Sequence, residues 1–159
     1  MEGFAMLLGH MVGDFLLQDD FLAKHKVNPW PGPRPGGVKM PDGSPVVSTD
    51  LAHRLEMWDA GLKLWWVGNL ACTVHCVVYA LACWLFCCTW MPWWGALIVA
   101  VAHWPIDRFR LPKLAMERVT NQKAFATGSL APWSHILVDQ LWHLLTLYGV
   151  WLLCKWVTP

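Results

Sequence analysis

The feature that most constrains this chain is an apolar run, residues 131–153, that carries ionisable side chains at a regular interval. His135, Asp139 and His143 follow one another at four-residue spacing, so on a helix they share nearly one face. Such a face is too costly to expose to lipid, so it has to contact other helices of the protein. The run therefore predicts a membrane-spanning helix with a polar inner face.

Two other stretches of the chain repeat this spacing. His10, Asp14 and Gln18 lie at four-residue intervals near the start, and His103 is followed four residues later by Asp107. Each stretch predicts a helix with its own polar face. Because none of these faces suits lipid, we expect them to meet in one polar interior.

The basic residues are strongly segregated along the chain. Of the 12 lysines and arginines, all but Lys155 lie in the segments 24–63 and 108–123. The chain is 56% hydrophobic and 14% charged, whereas soluble domains are about 45–50% apolar and about 25% charged. This pattern is typical of an integral membrane protein with basic cytoplasmic loops. The formal net charge of +1 gives no reason to expect a nucleic-acid partner.

We predict an all-α, polytopic membrane protein in which residues 1–159 form one domain with four transmembrane helices. The spans cover about 4–22, 64–89, 93–106 and 131–153. The two basic connections are then cytoplasmic, and both termini lie on the other side of the membrane.

Residues from about 27 to 59 are predicted to be an insertion between the first two spans. Its first part is rich in Pro and Gly, which indicates a loop with polyproline character on the cytoplasmic side. A short surface helix from Leu51 to about Asp59 follows. A second polar helix, at about 113–123, precedes the fourth span.

His75 is the strongly ionisable residue of the second span. When depth is counted from the cytoplasmic ends at about 1.5 Å per residue, His75 and the three polar faces all lie in the cytoplasmic half. Scattered helix contacts would not need to agree in depth. The agreement predicts one polar cavity that opens to the cytoplasm.

Three carboxylates within apolar spans, Asp14, Asp107 and Asp139, favour a bound cation. A carboxylate at the centre of a membrane helix costs about 2.5–3.5 kcal/mol, whereas an interhelical hydrogen bond contributes only about 0.6 kcal/mol on average. A divalent metal would offset the charge and give the histidines a partner. The predicted ligands, which share the cavity, are His10, Asp14, His75, His103, Asp107, Asp139 and His143.

The mixture of imidazole and carboxylate favours zinc, with manganese or iron as alternatives. Seven candidates exceed the four ligands of a tetrahedral zinc, so either two metals bind or some residues orient the others. His135 is nearer the membrane surface and is expected to be a bystander. A His–Asp network that is structural or handles protons is the alternative to a metal site.

The cysteines within the second span are expected to behave as small apolar residues. Cys72, Cys76, Cys83 and Cys87 fall in one apolar stretch, mostly at helical spacing. Cys72 and Cys76 flank His75, so a thiolate metal site is the alternative reading.

The motifs resemble those of an uncharacterised family of small bacterial and phage multi-pass membrane proteins. The family pattern is His-x-x-x-Asp-Phe-x-Leu-Gln, a His before a Tyr, His-x-x-x-Asp-Arg and Asp-Gln-x-x-His. It is matched at 10–18, 75–79, 103–108 and 139–143. The resemblance implies a location in the bacterial inner membrane, and an insertion at 27–59 relative to shorter members. The family is more distantly similar to inner-membrane metal-dependent hydrolases, which implies hydrolysis without identifying a substrate.

Two classes of function fit these observations. The first is a membrane-embedded metal-dependent hydrolase acting on a lipid or lipid-linked, phosphate-type substrate at the cytoplasmic leaflet. In it Asp14 would accept a proton from water, and Gln18 and Gln140 would orient the substrate or the ligand side chains. The second is a non-enzymatic phage or bacterial membrane protein with a structural metal site or a proton-handling network. Its partner would be a host membrane protein or a second copy of the chain.

Overall fold

The computed structural model describes residues 1–18, Leu22, Lys26, 51–129 and 131–158. Every regular element within them is helical, and this part of the chain contains no strand. The elements are α1 (Glu2–Met11), a π-helical turn (Val12–Leu16), α2 (Leu51–Cys87), α3 (Trp93–Phe109), α4 (Leu111–Arg118), α5 (Lys123–Thr127) and α6 (Ala131–Val157). The prediction of an all-α fold is confirmed.

Helix α2 is longer than the sequence analysis predicted. The expected surface helix from Leu51 to about Asp59 and the expected span from Leu64 are one continuous helix of 37 residues. The linking residues 60–63 contain a glycine but no proline, and one glycine weakens a helix by about 1 kcal/mol without ending it. The rest of the predicted insertion, residues 27–50, lies outside the described residues.

Two helical segments, Trp65–Cys87 and Trp133–Val157, are long and apolar enough to cross a membrane. They correspond to the predicted second and fourth spans. The other two are shorter, because the π-helical turn ends at Leu16 and α3 has only 17 residues. A helix as long as α3 extends about 25 Å, less than the roughly 30 Å thickness of the hydrocarbon core. Of the four predicted membrane-spanning helices, two therefore have the length and composition to cross a membrane.

The end of α3 is set by local backbone chemistry. Arg110 adopts a left-handed conformation with a φ of 50° directly after the last helical residue. Pro112 then lies in the first turn of α4, where a missing N–H group costs no hydrogen bond. Pro105 lies inside α3 without ending it. The chain therefore changes direction just after the Asp107–Arg108 pair.

Helix α2 is central, because it packs against both α1 and α3, and α3 in turn packs against α6. Two glycines bring α1 against the backbone of α2. A Cβ atom on Gly9 would lie 2.8 Å from Cys83 Cα, and one on Gly13 would lie 3.0 Å from Tyr79 Cα. Small residues at such positions let membrane helices approach closely. This contact places the polar face of α1 against α2.

The outward surface of the long helices is apolar. On α2, Leu70 and Leu85 are 67% and 69% exposed, and on α6 Leu137 and Leu145 are 65% and 60% exposed. Most of the histidines and aspartates described below, including His75, His103, Asp107 and His143, are buried instead. The long helices thus carry apolar side chains outward and part of their ionisable side chains inward.

Candidate metal centre

Four helical elements bring His and Asp side chains together inside the bundle. The π-helical turn provides Asp14, α2 provides His75, α3 provides His103 and Asp107, and α6 provides His143. Each of these residues is at most 6% exposed. The polar faces that the spacing predicted therefore do meet at one place.

The first cation position is formed by Asp14, His75, His103 and Asp107, whose ligand atoms lie within 4.8 Å of one another. Asp107 Oδ2 lies 3.1 Å from His75 Nε2 and 3.2 Å from His103 Nε2. His75 Nε2 also lies 3.3 Å from Asp14 Oδ1. Two imidazoles and two carboxylates are a suitable ligand set for a divalent transition metal.

The second cation position is formed by Asp14, Asp139 and His143, whose ligand atoms also lie within 4.8 Å of one another. His143 Nε2 lies 3.5 Å from Asp139 Oδ2 and 3.2 Å from Asp107 Oδ1. Neither contact is a hydrogen bond, and this buried nitrogen has no hydrogen-bond partner in the described part of the chain. A bound ion would satisfy a polar atom that is otherwise costly to bury. The Asp139 side chain is 35% exposed.

An ammonium group lies at the first cation position. Lys26 Nζ donates a hydrogen bond to Asp107 Oδ2 at 2.7 Å and lies 3.8 Å from Asp14 Oδ1. It also lies 3.2 Å from His75 Nε2 and donates to Gln18 Oε1 at 2.6 Å. Burial alone would lower the pKa of Lys26, but the carboxylates of Asp107 and Asp14 outweigh it and raise the pKa. The amine therefore stays protonated.

Sequence reasoning missed Lys26 and Arg108. Nothing in the sequence distinguishes Lys26 from the other lysine nearby, Lys24. Arg108 is buried and donates from Nε to Asn69 Oδ1 at 2.7 Å and from Nη1 to the Lys26 carbonyl at 3.2 Å. It thus links α3 to α2 and to the backbone of Lys26. An arginine directly after Asp107, at the end of an apolar helix, was the signal available for it.

His10 lies beside the two cation positions and belongs to neither group, although it was predicted to be a ligand. Its Nε2 lies 2.6 Å from Gln140 Oε1, and its Nδ1 lies 3.0 Å from the Tyr79 hydroxyl. Because an amide oxygen only accepts, Nε2 donates to Gln140 and Nδ1 accepts from Tyr79. Gln140 in turn donates from Nε2 to Asp14 Oδ2 at 2.8 Å. This series of hydrogen bonds, from Tyr79 through His10 and Gln140, orients the Asp14 carboxylate.

The two predicted glutamines both face the centre and contact its side chains, as expected of residues that orient ligand side chains. Gln140 connects His10 to Asp14, and Gln18 accepts the hydrogen bond of Lys26. His135, in contrast, donates to the Ala126 carbonyl at 2.6 Å. It lies apart from the cation positions, as expected of a bystander.

Stacked rings fix the orientation of the imidazoles. The ring centroids of Tyr79 and His103 are 3.9 Å apart, and those of His103 and His143 are 4.1 Å apart. Both pairs are close to parallel, at 23° and 25°. A stack of three rings from α2, α3 and α6 restricts rotation of the side chains that carry the ligand atoms.

The segment that carries Asp14 is not α-helical. In the π-helical turn the amide of Leu17 donates to the carbonyl of Val12 at 3.0 Å. Such turns are rare and contain one residue more than an α-helical turn, frequently at functional sites. The four-residue spacing of His10, Asp14 and Gln18 predicted an unbroken α-helix, so the helix type was wrong here.

The thiolate alternative finds no support in the described residues. All six cysteines are free, and no cysteine belongs to a group that could hold a metal. Cys72 Sγ instead faces the carbonyl of Trp104 at 3.7 Å. Cys83 and Cys87 are part of the apolar core, as small apolar residues are expected to be.

No protein-family model, curated protein or solved structure matches this chain. The resemblance to small bacterial and phage membrane proteins therefore stays a prediction.

Proposed function

We propose that this chain is a membrane-embedded metal-dependent hydrolase that acts on a lipid or lipid-linked, phosphate-type substrate at the cytoplasmic leaflet. The observation that carries the proposal is the convergence of buried His and Asp ligand atoms, within 4.8 Å of one another, in a bundle with an apolar surface. Ionisable groups inside a membrane bundle mark sites where ions, protons or substrates bind.

The ligand chemistry suits zinc, with manganese or iron as alternatives. A divalent ion bound there would lower the pKa of a water molecule toward neutrality and so supply a nucleophile. Asp139 is the partly exposed carboxylate of the cluster, and with one oxygen on the ion its other oxygen would be free to take the proton of an entering water. We assign this role to Asp139 rather than to Asp14, because Asp14 Oδ2 already accepts a hydrogen bond from Gln140.

The membrane setting is part of the proposal. In it α1 with its π-helical turn and α3 cross the bilayer as short spans beside the two longer helices, since a short helix is accommodated by local thinning. The basic segments 24–63 and 108–123 support an orientation with both connections in the bacterial cytoplasm and the termini across the inner membrane. The centre then lies within reach of lipid head groups of the cytoplasmic leaflet.

A second function is favoured by the position of Lys26. Its ammonium already pairs with the carboxylate of Asp107 at 2.7 Å, so part of the buried charge is compensated without a metal. In this alternative the chain is a non-enzymatic bacterial or phage membrane protein. Its His–Asp network is structural or handles protons, and it acts through a membrane-protein partner or a second copy of the chain.

Metal content and hydrolysis separate the two functions. We expect the full-length protein, purified in detergent and loaded with zinc, to retain zinc and to release phosphate from a lipid-linked diphosphate. Asp139→Asn and His143→Ala should each weaken zinc binding by on the order of 100-fold and abolish hydrolysis. Both variants should still insert, because insertion depends on the apolar helices.

The matched control is His135→Ala, on the same helix but bonded to Ala126, and it should keep both zinc and activity. A wild-type protein that retains no zinc, or that retains zinc without releasing phosphate, would refute the hydrolase. The non-enzymatic function would then stand.

A further inference from the structure

The carboxylates of the centre face two positions at once. Asp107 Oδ2 contacts His75 and His103, whereas Asp107 Oδ1 faces His143 Nε2 at 3.2 Å. Asp14 belongs to both groups of ligand atoms. In two-metal sites, shared groups of this kind hold two ions roughly 3.5–4 Å apart. The chain therefore has the ligand arrangement of a centre for two cations.

The two cation positions differ in the protein groups that lie in them. At the first, Lys26 Nζ makes close contacts with Asp107, His75 and Gln18, and the lysine side chain is only 12% exposed. At the second, His143 Nε2 is buried and has no hydrogen-bond partner among the residues the structure describes. A bound ion at the second position would give this nitrogen and the carboxylates that face it a common partner.

The formal charges favour one added ion over two. Asp14, Asp107 and Asp139 contribute three negative charges around the two positions, and Lys26 contributes one positive charge. A single divalent ion brings the sum to zero, whereas two would leave an excess of positive charge. Net charge is costly inside an apolar bundle, so the neutral combination is the most stable.

We propose that the centre holds two different cations, one divalent metal ion at the second position and the Lys26 ammonium at the first. This inference rests on the proposed metal binding and assigns the metal its position. At the second position, Asp14, Asp139 and His143 are three protein ligands, which leaves room for water or substrate. The first position, with four protein ligands and the lysine, has no such room. Lys26 is thus a positioning residue that takes the place of a second metal.

The test is the zinc stoichiometry of the full-length protein in detergent. We expect one zinc ion per chain in the wild type and two in Lys26→Met, because loss of the ammonium vacates the first position. Lys26→Arg keeps a cation there and should keep one zinc ion. Lys113→Met, which removes a surface lysine paired with Glu117, should also keep one. Two ions in the wild type, or one in a folded Lys26→Met protein, would overturn the inference.

A second measurement uses only the wild-type protein. Acylation of lysine amines, followed by mass spectrometry, should label Lys26 equally slowly with and without zinc, and more slowly than Lys113, whose side chain is 40% exposed. If zinc raises the labelling rate of Lys26 to that of Lys113, the metal has displaced the ammonium and the inference is wrong.

These outcomes are distinct from those of the hydrolase test. One zinc ion, a protected Lys26 and no phosphate release would refute the hydrolase and leave the two-cation centre standing. Phosphate release with two zinc ions in the wild type would support the hydrolase and refute the role of Lys26. A wild type that binds no zinc would overturn both.

Discussion

The helical bundle has different chemistry in its two halves. The polar half, defined by its buried ionisable residues, contains Asp14, His75, His103, Asp107 and His143. The apolar half, defined by its core, contains Met6, Ala80, Cys83, Cys87, Met91, Val99, Leu147, Val150 and Cys154, and Tyr79 lies where the core meets the polar half. Directional contacts organise the first half, and close packing organises the second. A substitution in the polar half should therefore weaken metal binding without reducing the stability of the bundle. A substitution in the apolar half should reduce stability without weakening metal binding.

The largest expected effect is a loss of stability caused by a cavity in the apolar half. Leu147 is 1% exposed, so Leu147→Ala should lower the free energy of unfolding by about 2–5 kcal/mol through lost packing. Zinc stoichiometry measured well below the unfolding temperature should not change. Thermal unfolding in detergent gives the first quantity, and Leu145→Ala, at a site 60% exposed, is the matched control. If Leu147→Ala lost zinc and kept its stability, metal binding would depend on packing in the apolar half, and the comparison of the two halves would be wrong.

In the polar half we expect a substitution to weaken zinc binding without lowering the stability of the fold. Asp107→Asn keeps the shape of the side chain but removes the charge that faces His75, His103 and His143. Zinc binding should weaken by on the order of 100-fold, while helix content stays unchanged. Zinc titration and circular dichroism measure the two. Retained zinc affinity would show that Asp107 is not part of the centre, and Glu117→Gln on the surface serves as the control.

A smaller effect on zinc affinity is expected at Tyr79, where the series of hydrogen bonds that leads to Asp14 begins. Tyr79→Phe removes the hydroxyl that donates to His10 Nδ1 and should weaken zinc binding by roughly tenfold, as loss of a group that orients a ligand does. The phenyl ring still stacks on His103, so packing is retained. Tyr148→Phe, at a position 50% exposed, should leave affinity unchanged. An unchanged zinc affinity in Tyr79→Phe would mean that the orientation of Asp14 does not depend on this series of hydrogen bonds.

The sequence was sufficient where a contact follows from helix geometry. His103 and Asp107 approach to 3.2 Å, and Asp139 and His143 to 3.5 Å, because residues four apart lie on one helical face. The cost of exposing such faces to lipid then predicted that they meet, and they do. The same reasoning predicted an all-helical fold and its two longest apolar segments.

The sequence was insufficient where a contact depends on the tertiary fold. Lys26 reaches Asp107, 81 residues away in the chain, and no local pattern marks one loop lysine among several. The roles of His10 and Gln140 depend in the same way on the approach of α1 to α6. Two of the four predicted spans, about 4–22 and 93–106, are not confirmed by length and composition, because the π-helical turn ends at Leu16 and α3 has only 17 residues.

The π-helical turn makes the width of one helical turn a determinant of the centre. Because Val12–Leu16 contains one residue more than an α-helical turn would, it is in effect an accommodated insertion. If the same residues formed a regular α-helix instead, the preceding part would be rotated relative to the following part by about 100°. Gly9 could then no longer lie against Cys83 while Asp14 faced the histidines. The width of a single turn, rather than the type of any side chain, is what couples helix docking to ligand placement.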